Sequence, residues 1–103
     1  MLLLNIDHIP NAELEVLGMV EGSVVMAKDV GSDLVAGFRS FMGGEITEYT
    51  KMLSEARQLA VDRMTEQAES LHADAIINIR YSTSAVLEGA AEIIVYGTAV
   101  KYV

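Results

Sequence analysis

The residues best suited to bind an anion lie in one short stretch of the chain. Arg39 precedes the paired glycines Gly43 and Gly44, and apolar periodicity predicts that a long helix begins at Glu45. Free backbone N–H groups and the helix dipole attract phosphate or carboxylate to such a helix start. The same glycines also suit a sharp turn, and Glu45 already places negative charge in the first helical turn. A simple turn is therefore the preferred interpretation, with an anion site as the alternative.

A metal site would have to use His8 and His72 together with some of the fifteen Asp and Glu residues. Hard or borderline ions accept such nitrogen and oxygen ligands. None of these residues has the spacing of a metal-binding motif, and the chain has no cysteine, the ligand that soft metals favour. We interpret the six methionines as core filler. Metal binding through His and carboxylate ligands is thus an alternative function, with no metal ligand assigned.

The composition argues against several other classes of protein. A chain without cysteine cannot form a disulfide scaffold or an iron–sulfur site, and it cannot use a thiol nucleophile. Its net charge of −8 would repel the phosphates of a nucleic acid. The apolar run at residues 2–4 is too short for a signal peptide or a membrane span. We expect a cytoplasmic protein that binds neither nucleic acid nor membrane.

The length and apolar content together predict self-association. A chain of 103 residues has the size of one domain, and a hydrophobic content of 51% is too high for intrinsic disorder. A domain this small buries only about 60–70% of the surface that its unfolded chain exposes. Large apolar patches are rare on the surface of monomers. We therefore predict a single domain, residues 1–103, that forms a homo-oligomer.

The clearest predicted element is a long amphipathic helix from Glu45 to about Leu71. Apolar residues recur along it every three or four positions and define one seam. The seam residues are Ile46, Tyr49, Leu53, Ala56, Ala60, Met64, Ala68 and Leu71. Its alanines indicate a helix that lies tightly on its own sheet. We expect a second stripe, Met52, Leu59 and Val61, to be covered by neighbouring subunits or by a short helix.

Alternation of apolar and polar residues predicts strands on both sides of that helix. Residues 14–27 alternate as a half-buried strand or hairpin, which we divide near Gly22. After the helix, a strand is predicted with one face formed by Ala75, Ile77, Ile79 and Tyr81. Residues 92–103 are apolar on both faces, as in a strand covered on both sides.

These elements define an α+β fold class. A short helix is predicted through Leu34 to Met42, at apolar spacings of three and four residues, and it stops at the paired glycines. The predicted architecture is one long helix and one short helix packed on a small, mainly antiparallel sheet.

Short motifs spread over most of the chain occur in an order that a known family shares. They are Gly22, Gly37-Phe38-Arg39, Gly43-Gly44, Tyr49, Ala56-Arg57, Ala73-Asp74-Ala75 and the segment from Gly97 to Lys101. The chain from about Gly18 to its end resembles the YbjQ family of small prokaryotic proteins. The resemblance implies a compact α+β fold that assembles as a ring, commonly a pentamer, with additional short strands joining neighbours. It implies no activity, because the family's function is uncharacterised and its heavy-metal-binding description comes from structural comparison.

One position departs from the pattern of that family. The family usually has glycine just after the long helix, where this chain has His72. Glycine there suits a left-handed C-terminal cap, which histidine tolerates at a cost near ~1 kcal/mol. We predict a positive φ at His72.

The family-like positions also include polar residues that an enzyme or a ligand site could use. They are Asp29, Arg39, Glu45, Tyr49 and Arg57. Each has a structural alternative, since Tyr49 lies on the helix seam, Arg57 could pair across a subunit contact and Asp29 could cap a turn. An enzyme with its site at a subunit boundary is therefore the least favoured function.

The favoured function is a small homo-oligomeric binding or assembly module, a ring and in particular a pentamer. Its ligand and any cofactor are unknown at this point. The candidate ligand-binding residues are Arg39, Gly43, Gly44, Tyr49 and Arg57.

Overall fold

The computed structural model describes residues 1–27, 47–87 and 90–103. The elements in these ranges are β1 (Leu2–Leu3), β2 (Leu14–Ala27), α1 (Thr47–Ser70), β3 (Ala75–Leu87) and β4 (Ala90–Tyr102). The strands form one sheet in the order β1-β3-β4-β2. The pairs β3–β4 and β4–β2 are antiparallel, whereas β1 pairs with β3 in parallel. The predicted α+β class is confirmed, while the short helix and the start of the long helix lie outside the described residues.

The helix lies very close to β2 because Gly22 has no side chain. A Cβ atom at Gly22 would collide with the carbonyl oxygen of Ala60 and lie 2.6 Å from the backbone nitrogen of Met64. Ala60 is itself fully buried, and its single methyl group takes little space. The helix backbone therefore rests directly on the strand, which confirms the tight packing predicted from the alanines of the seam.

The main core lies between one face of the sheet and the helix seam. Ala60, Met64 and Ala68 of the seam are fully buried. They pack with the sheet residues Val20, Ile76, Ile79, Val95 and Ala99. The prediction that the seam continues to Leu71 was wrong, because Leu71 follows the last helical residue and remains 41% exposed.

Two helix side chains bind the backbone of β2, which is an edge strand of the sheet. Arg63 donates from Nη1 to the carbonyl oxygen of Ser23 at 2.6 Å. Gln67 accepts at Oε1 from the N–H of Glu21 at 2.8 Å. These bonds satisfy backbone groups that an edge strand otherwise leaves unpaired. They hold α1 over β2, and the helix has fewer contacts with β4 and very few with β3.

A bulge in β3 changes the faces predicted for that strand. Two residues, Asn78 and Ile79, lie opposite the single residue Gly97 of β4. Asn78 has a φ of 55° and donates its N–H to the carbonyl oxygen of Ile6 at 2.7 Å. An extra residue shifts the alternation of side chains by one position beyond it.

The predicted common face of Ala75, Ile77, Ile79 and Tyr81 was therefore wrong. Ile79 joins the core beneath the helix, whereas Ala75 and Ile77 form a second cluster with Val100 on the opposite face of the sheet. Tyr81 pairs with Val95, a residue of the helix-side core, and so lies on the helix side.

Two further predictions about the strands were wrong. The strand β2 is continuous from Leu14 to Ala27 and is not divided near Gly22. Its irregularity lies between Val16 and Gly18, where Gly18 has a φ of 135°. In β4 the helix-side residues are buried, but Tyr96 on the opposite face is exposed, so this strand is not covered on both sides along its length.

The helix ends in a Schellman motif at His72. The N–H of His72 donates to the carbonyl oxygen of Glu69 at 2.9 Å, and that of Ala73 donates to the carbonyl oxygen of Ala68 at 3.1 Å. His72 has a φ of 60°, so the predicted positive φ is confirmed.

We predict that Gly22→Ala lowers the free energy of unfolding by about 2 kcal/mol, because overpacking against backbone atoms cannot be relieved by a rotamer change. Urea denaturation of the purified variant would measure it. Ser82→Ala, at an exposed position of β3, is the control and should be near neutral. A Gly22→Ala variant as stable as the parent would show that the helix does not lie this close to β2.

We predict that His72→Gly raises the free energy of unfolding by about 0.5–1 kcal/mol, since glycine adopts a positive φ without steric cost. Ser70→Gly, two residues earlier and inside the helix, should lower the free energy of unfolding by a similar amount. Thermal denaturation of both variants would compare them. Destabilisation by His72→Gly would contradict the left-handed cap.

Candidate functional site

An open cleft of about 560 Å³ lies between α1 and the β1–β3 side of the sheet. It exists because the helix lies over β2 and covers Ile76 and Ile79 of β3 but not Tyr81, which is 55% exposed. Small-molecule sites typically have volumes of roughly 300–1,000 Å³. The cleft is lined by Leu3, Leu4, Asn5, Val61, Met64, Ile79, Arg80 and Tyr81. Five of these eight residues are aliphatic or methionine, so the lining combines an apolar wall with a few polar groups.

Arg80 is held at this cleft by backbone carbonyl groups. Its Nη1 donates to the carbonyl oxygen of Asn5 at 2.8 Å and to that of Ile79 at 2.9 Å. The segment after β1 brings Asn5 alongside β3, because the N–H of Ile79 donates to the carbonyl oxygen of Leu4 at 3.1 Å. The sheet pairing of β1 therefore positions the guanidinium group.

The charge of Arg80 is not neutralised by an ion pair within the described residues. The one ion pair found in residues 1–27, 47–87 and 90–103 joins His8 to Asp7 at 3.0 Å. Both bonds of the Arg80 side chain there go to neutral carbonyl oxygens and use only Nη1. Its Nη2 and Nε donors thus remain available for a ligand.

Tyr81 supplies an aromatic ring and a hydroxyl group to the same cleft. It lies on the helix side of the sheet, yet it is 55% exposed because α1 does not reach it. In the described part of the chain, its hydroxyl group makes no hydrogen bond with protein. A tyrosine in this position can donate a hydrogen bond to an oxygen atom of a ligand.

A second hollow of about 330 Å³ lies at the edge of β2 below the end of the helix. Gln67 lines it but already accepts from the N–H of Glu21. The hydroxyl group of Ser70 donates to the carbonyl oxygen of Gln67 at 2.6 Å. Because Gln67 and Ser70 are engaged in structural bonds, this hollow is a weaker candidate than the cleft at Arg80.

The candidate residues predicted from the sequence do not form this cleft. Arg39, Gly43 and Gly44 lie outside the described residues, as do Asp29 and Glu45. Tyr49 belongs to α1. Arg57 is exposed on the helix and donates from Nη2 to the hydroxyl oxygen of Ser54 at 3.2 Å.

Sequence reasoning missed Asn5, Arg80 and Tyr81 as site residues. The sequence did contain one signal, a basic residue inside the apolar strand segment of residues 75–81. Arg80 was assigned to the face of the strand opposite Tyr81, which its pairing with Tyr96 confirms, but its hydrogen bond to the carbonyl oxygen of Asn5 beside the cleft was not predicted.

The described residues do not fit a metal site. Within residues 1–27, 47–87 and 90–103, no three His, Cys, Asp or Glu side chains come together in a group that could hold an ion. The contact of His8 with Asp7 provides one nitrogen and one carboxylate, both well exposed. Structural and catalytic metal sites generally need at least three protein ligands.

In the described part of the chain, no helix is both long enough and apolar enough to cross a bilayer.

The fold and the cleft define the class of protein, which is an α+β domain with a helix on a mixed four-stranded sheet and an open cleft beside that helix. The sequence profile of the family YbjQ_1, described as "Putative heavy-metal-binding", matches residues 1–103. The chain therefore belongs to the YbjQ family, as its motifs predicted.

Two relatives are similar along nearly their whole length. The chain is 53% identical over 103 residues to a UPF0145 protein of Alkaliphilus metalliredigens, covering 100% of both chains. It is 52% identical over 101 residues to a UPF0145 protein of Clostridium novyi, covering 98% of each. These names state no activity.

A solved structure has the same fold. It is the crystal structure of a protein of unknown function from Pediococcus pentosaceus, described as a member of the DUF74 family. The TM-score is 0.70 at 18% identity, over 100% of this chain and 98% of that one. At this identity the likeness establishes the fold alone.

The hydrogen bond from His8 lowers the pKa of Asp7 below its ordinary value of 3.8, and the charge of His8 contributes in the same direction. We predict that His8→Ala raises the pKa of Asp7 towards 3.8, as measured by NMR titration. Because the folded-state pKa is lowered, the pair stabilises the fold above pH 3.8, and this contribution is lost as the pH falls through the lowered value. An unchanged Asp7 titration in His8→Ala would contradict the contact.

Proposed function

We propose that this protein is a small cytoplasmic binding module that self-associates through the sheet face opposite α1. Apolar residues on that face support the proposal. Val16, Met19, Val25 and Tyr96 are exposed there, and Met19 is 75% exposed. The strand pairing places them on one face of the sheet, where polar residues such as Glu21 and Glu92 lie between them. Such a surface is unusual on a monomer and typical of an interface between protein chains.

The elongated shape supports the same proposal. The described residues extend over 54 × 26 × 17 Å, with a Cα radius of gyration of 16.9 Å. A compact domain of about 100 residues has a radius of gyration near 13 Å. An elongated domain buries less of its own apolar surface, so packing against other copies can bury more of that surface and contribute more to its stability.

The ring, and a pentamer in particular, is part of the proposal because membership of the family implies it. A cyclic assembly would bury the same apolar surface on every chain. The cleft beside α1 opens on the helix side of the sheet, whereas its residue Arg80 pairs with Tyr96 of the outer face and reaches the carbonyl oxygen of Asn5.

Metal binding, which the family description names, gains no support from the described residues. No observation favours catalysis either. We therefore propose neither function.

We predict that native mass spectrometry of the 11.1 kDa chain detects a closed oligomer, a pentamer in the first instance, at micromolar concentration. Met19→Glu should weaken it by placing a charge in the proposed interface. Ser54→Glu adds the same charge at an exposed helix position and should leave the subunit number unchanged. A monomer, or equal dissociation of both variants, would contradict assembly through the outer face.

A further inference from the structure

We propose that the cleft between α1 and the β1–β3 side of the sheet binds a small amphipathic carboxylate, with Arg80 at the carboxylate and the apolar wall around the tail. The inference deepens the proposed function by assigning a ligand class to the binding module.

The charge of the cleft favours an anion although the chain as a whole is acidic. The net charge is −8, with fifteen acidic residues available to pair with seven basic ones. Within the described residues, however, Arg80 forms no ion pair at contact distance; Asp7 is bonded to His8, and the charge of Arg80 contributes less than that of His8 to the lowered pKa of Asp7. Neutral carbonyl oxygens orient the guanidinium without cancelling its charge.

The geometry of Arg80 favours a carboxylate over a point-like anion. Two carbonyl oxygens occupy Nη1, which leaves Nη2 and Nε as neighbouring donors. A planar pair of donors matches the two oxygens of a carboxylate in a bidentate contact. Tyr81 also lines the cleft, and its hydroxyl group is a further donor for a polar ligand.

The remaining wall favours an aliphatic tail. Val61 and the fully buried Met64 border the cleft from the helix, and Leu3, Leu4 and the mostly buried Ile79 border it from the sheet, so Leu3, Leu4 and Val61 present most of the accessible apolar surface. An apolar pocket with a few convergent polar groups is typical of sites for small organic ligands. Each methylene group that enters such a wall should raise the affinity roughly fourfold.

The experiment is a titration of the intact assembly with hexanoate, octanoate and decanoate, each below its micelle-forming concentration, followed by calorimetry and by amide NMR shifts. We expect binding that tightens with tail length and shifts at Val61, Ile79 and Tyr81. Octanol, with the same tail and no charge, should bind more weakly.

Two matched variants separate the role of Arg80 from a change in overall charge. Arg80→Gln should weaken octanoate binding about tenfold and leave octanol unaffected. Arg57→Gln removes the same charge at an exposed helix position outside the cleft and should change neither affinity. Arg80→Lys should recover only part of the octanoate affinity, because lysine lacks the planar pair of donors.

Three results would overturn the inference: no octanoate binding by the folded protein, equal octanoate affinities of Arg80→Gln and the parent, or cleft amides that do not shift because a second copy covers them. A monomer that still binds octanoate through Arg80 would overturn only the proposed assembly. An oligomer that does not bind octanoate would overturn only the proposed ligand.

Discussion

The contact between the helix backbone and Gly22 determines where the helix lies, and the rest of the structure depends on that position. No other residue type fits at Gly22, because a Cβ atom would collide with the carbonyl oxygen of Ala60. Arg63 and Gln67 then bind backbone groups of β2 and hold the helix over this strand. A helix fixed over β2 covers Ile76 and Ile79 of β3 but does not reach Tyr81. The open cleft is thus a consequence of close packing elsewhere in the domain.

Two residues in left-handed conformations determine what the cleft contains. His72 ends the helix in a Schellman motif, after which the chain turns into β3. Asn78 introduces the bulge that turns Ile79 and Tyr81 towards the helix side. The segment after β1 pairs with β3 at the same place, and its Asn5 carbonyl group orients Arg80. The site therefore combines parts of the chain that are 75 residues apart in sequence.

Local patterns predicted the helix well and the site poorly, for physical reasons. Periodicity and alanine content identified a seam whose centre is buried. The positive φ at His72 was predicted from the resemblance, because the family usually has glycine at this position. The bulge was missed because residues 75–81 alternate regularly in sequence, and one extra residue becomes visible only against its partner strand. Arg80 was missed because the groups that orient it are backbone carbonyls, which no side-chain motif reports.

The central claim is that the helix backbone touches β2 at Gly22 and leaves the part of β3 at Tyr81 uncovered. NMR of the assembled protein tests it directly through nuclear Overhauser effects from the α-protons of Gly22. A Cβ atom at Gly22 would lie 2.6 Å from the Met64 nitrogen, so the account predicts strong effects to the Met64 amide proton and the Ala60 backbone. It also predicts no nuclear Overhauser effect between the Tyr81 ring and the alanines of the helix seam. Strong effects from Tyr81 to Ala60, with none from Gly22 to Met64, would place the helix over β3 and contradict the account.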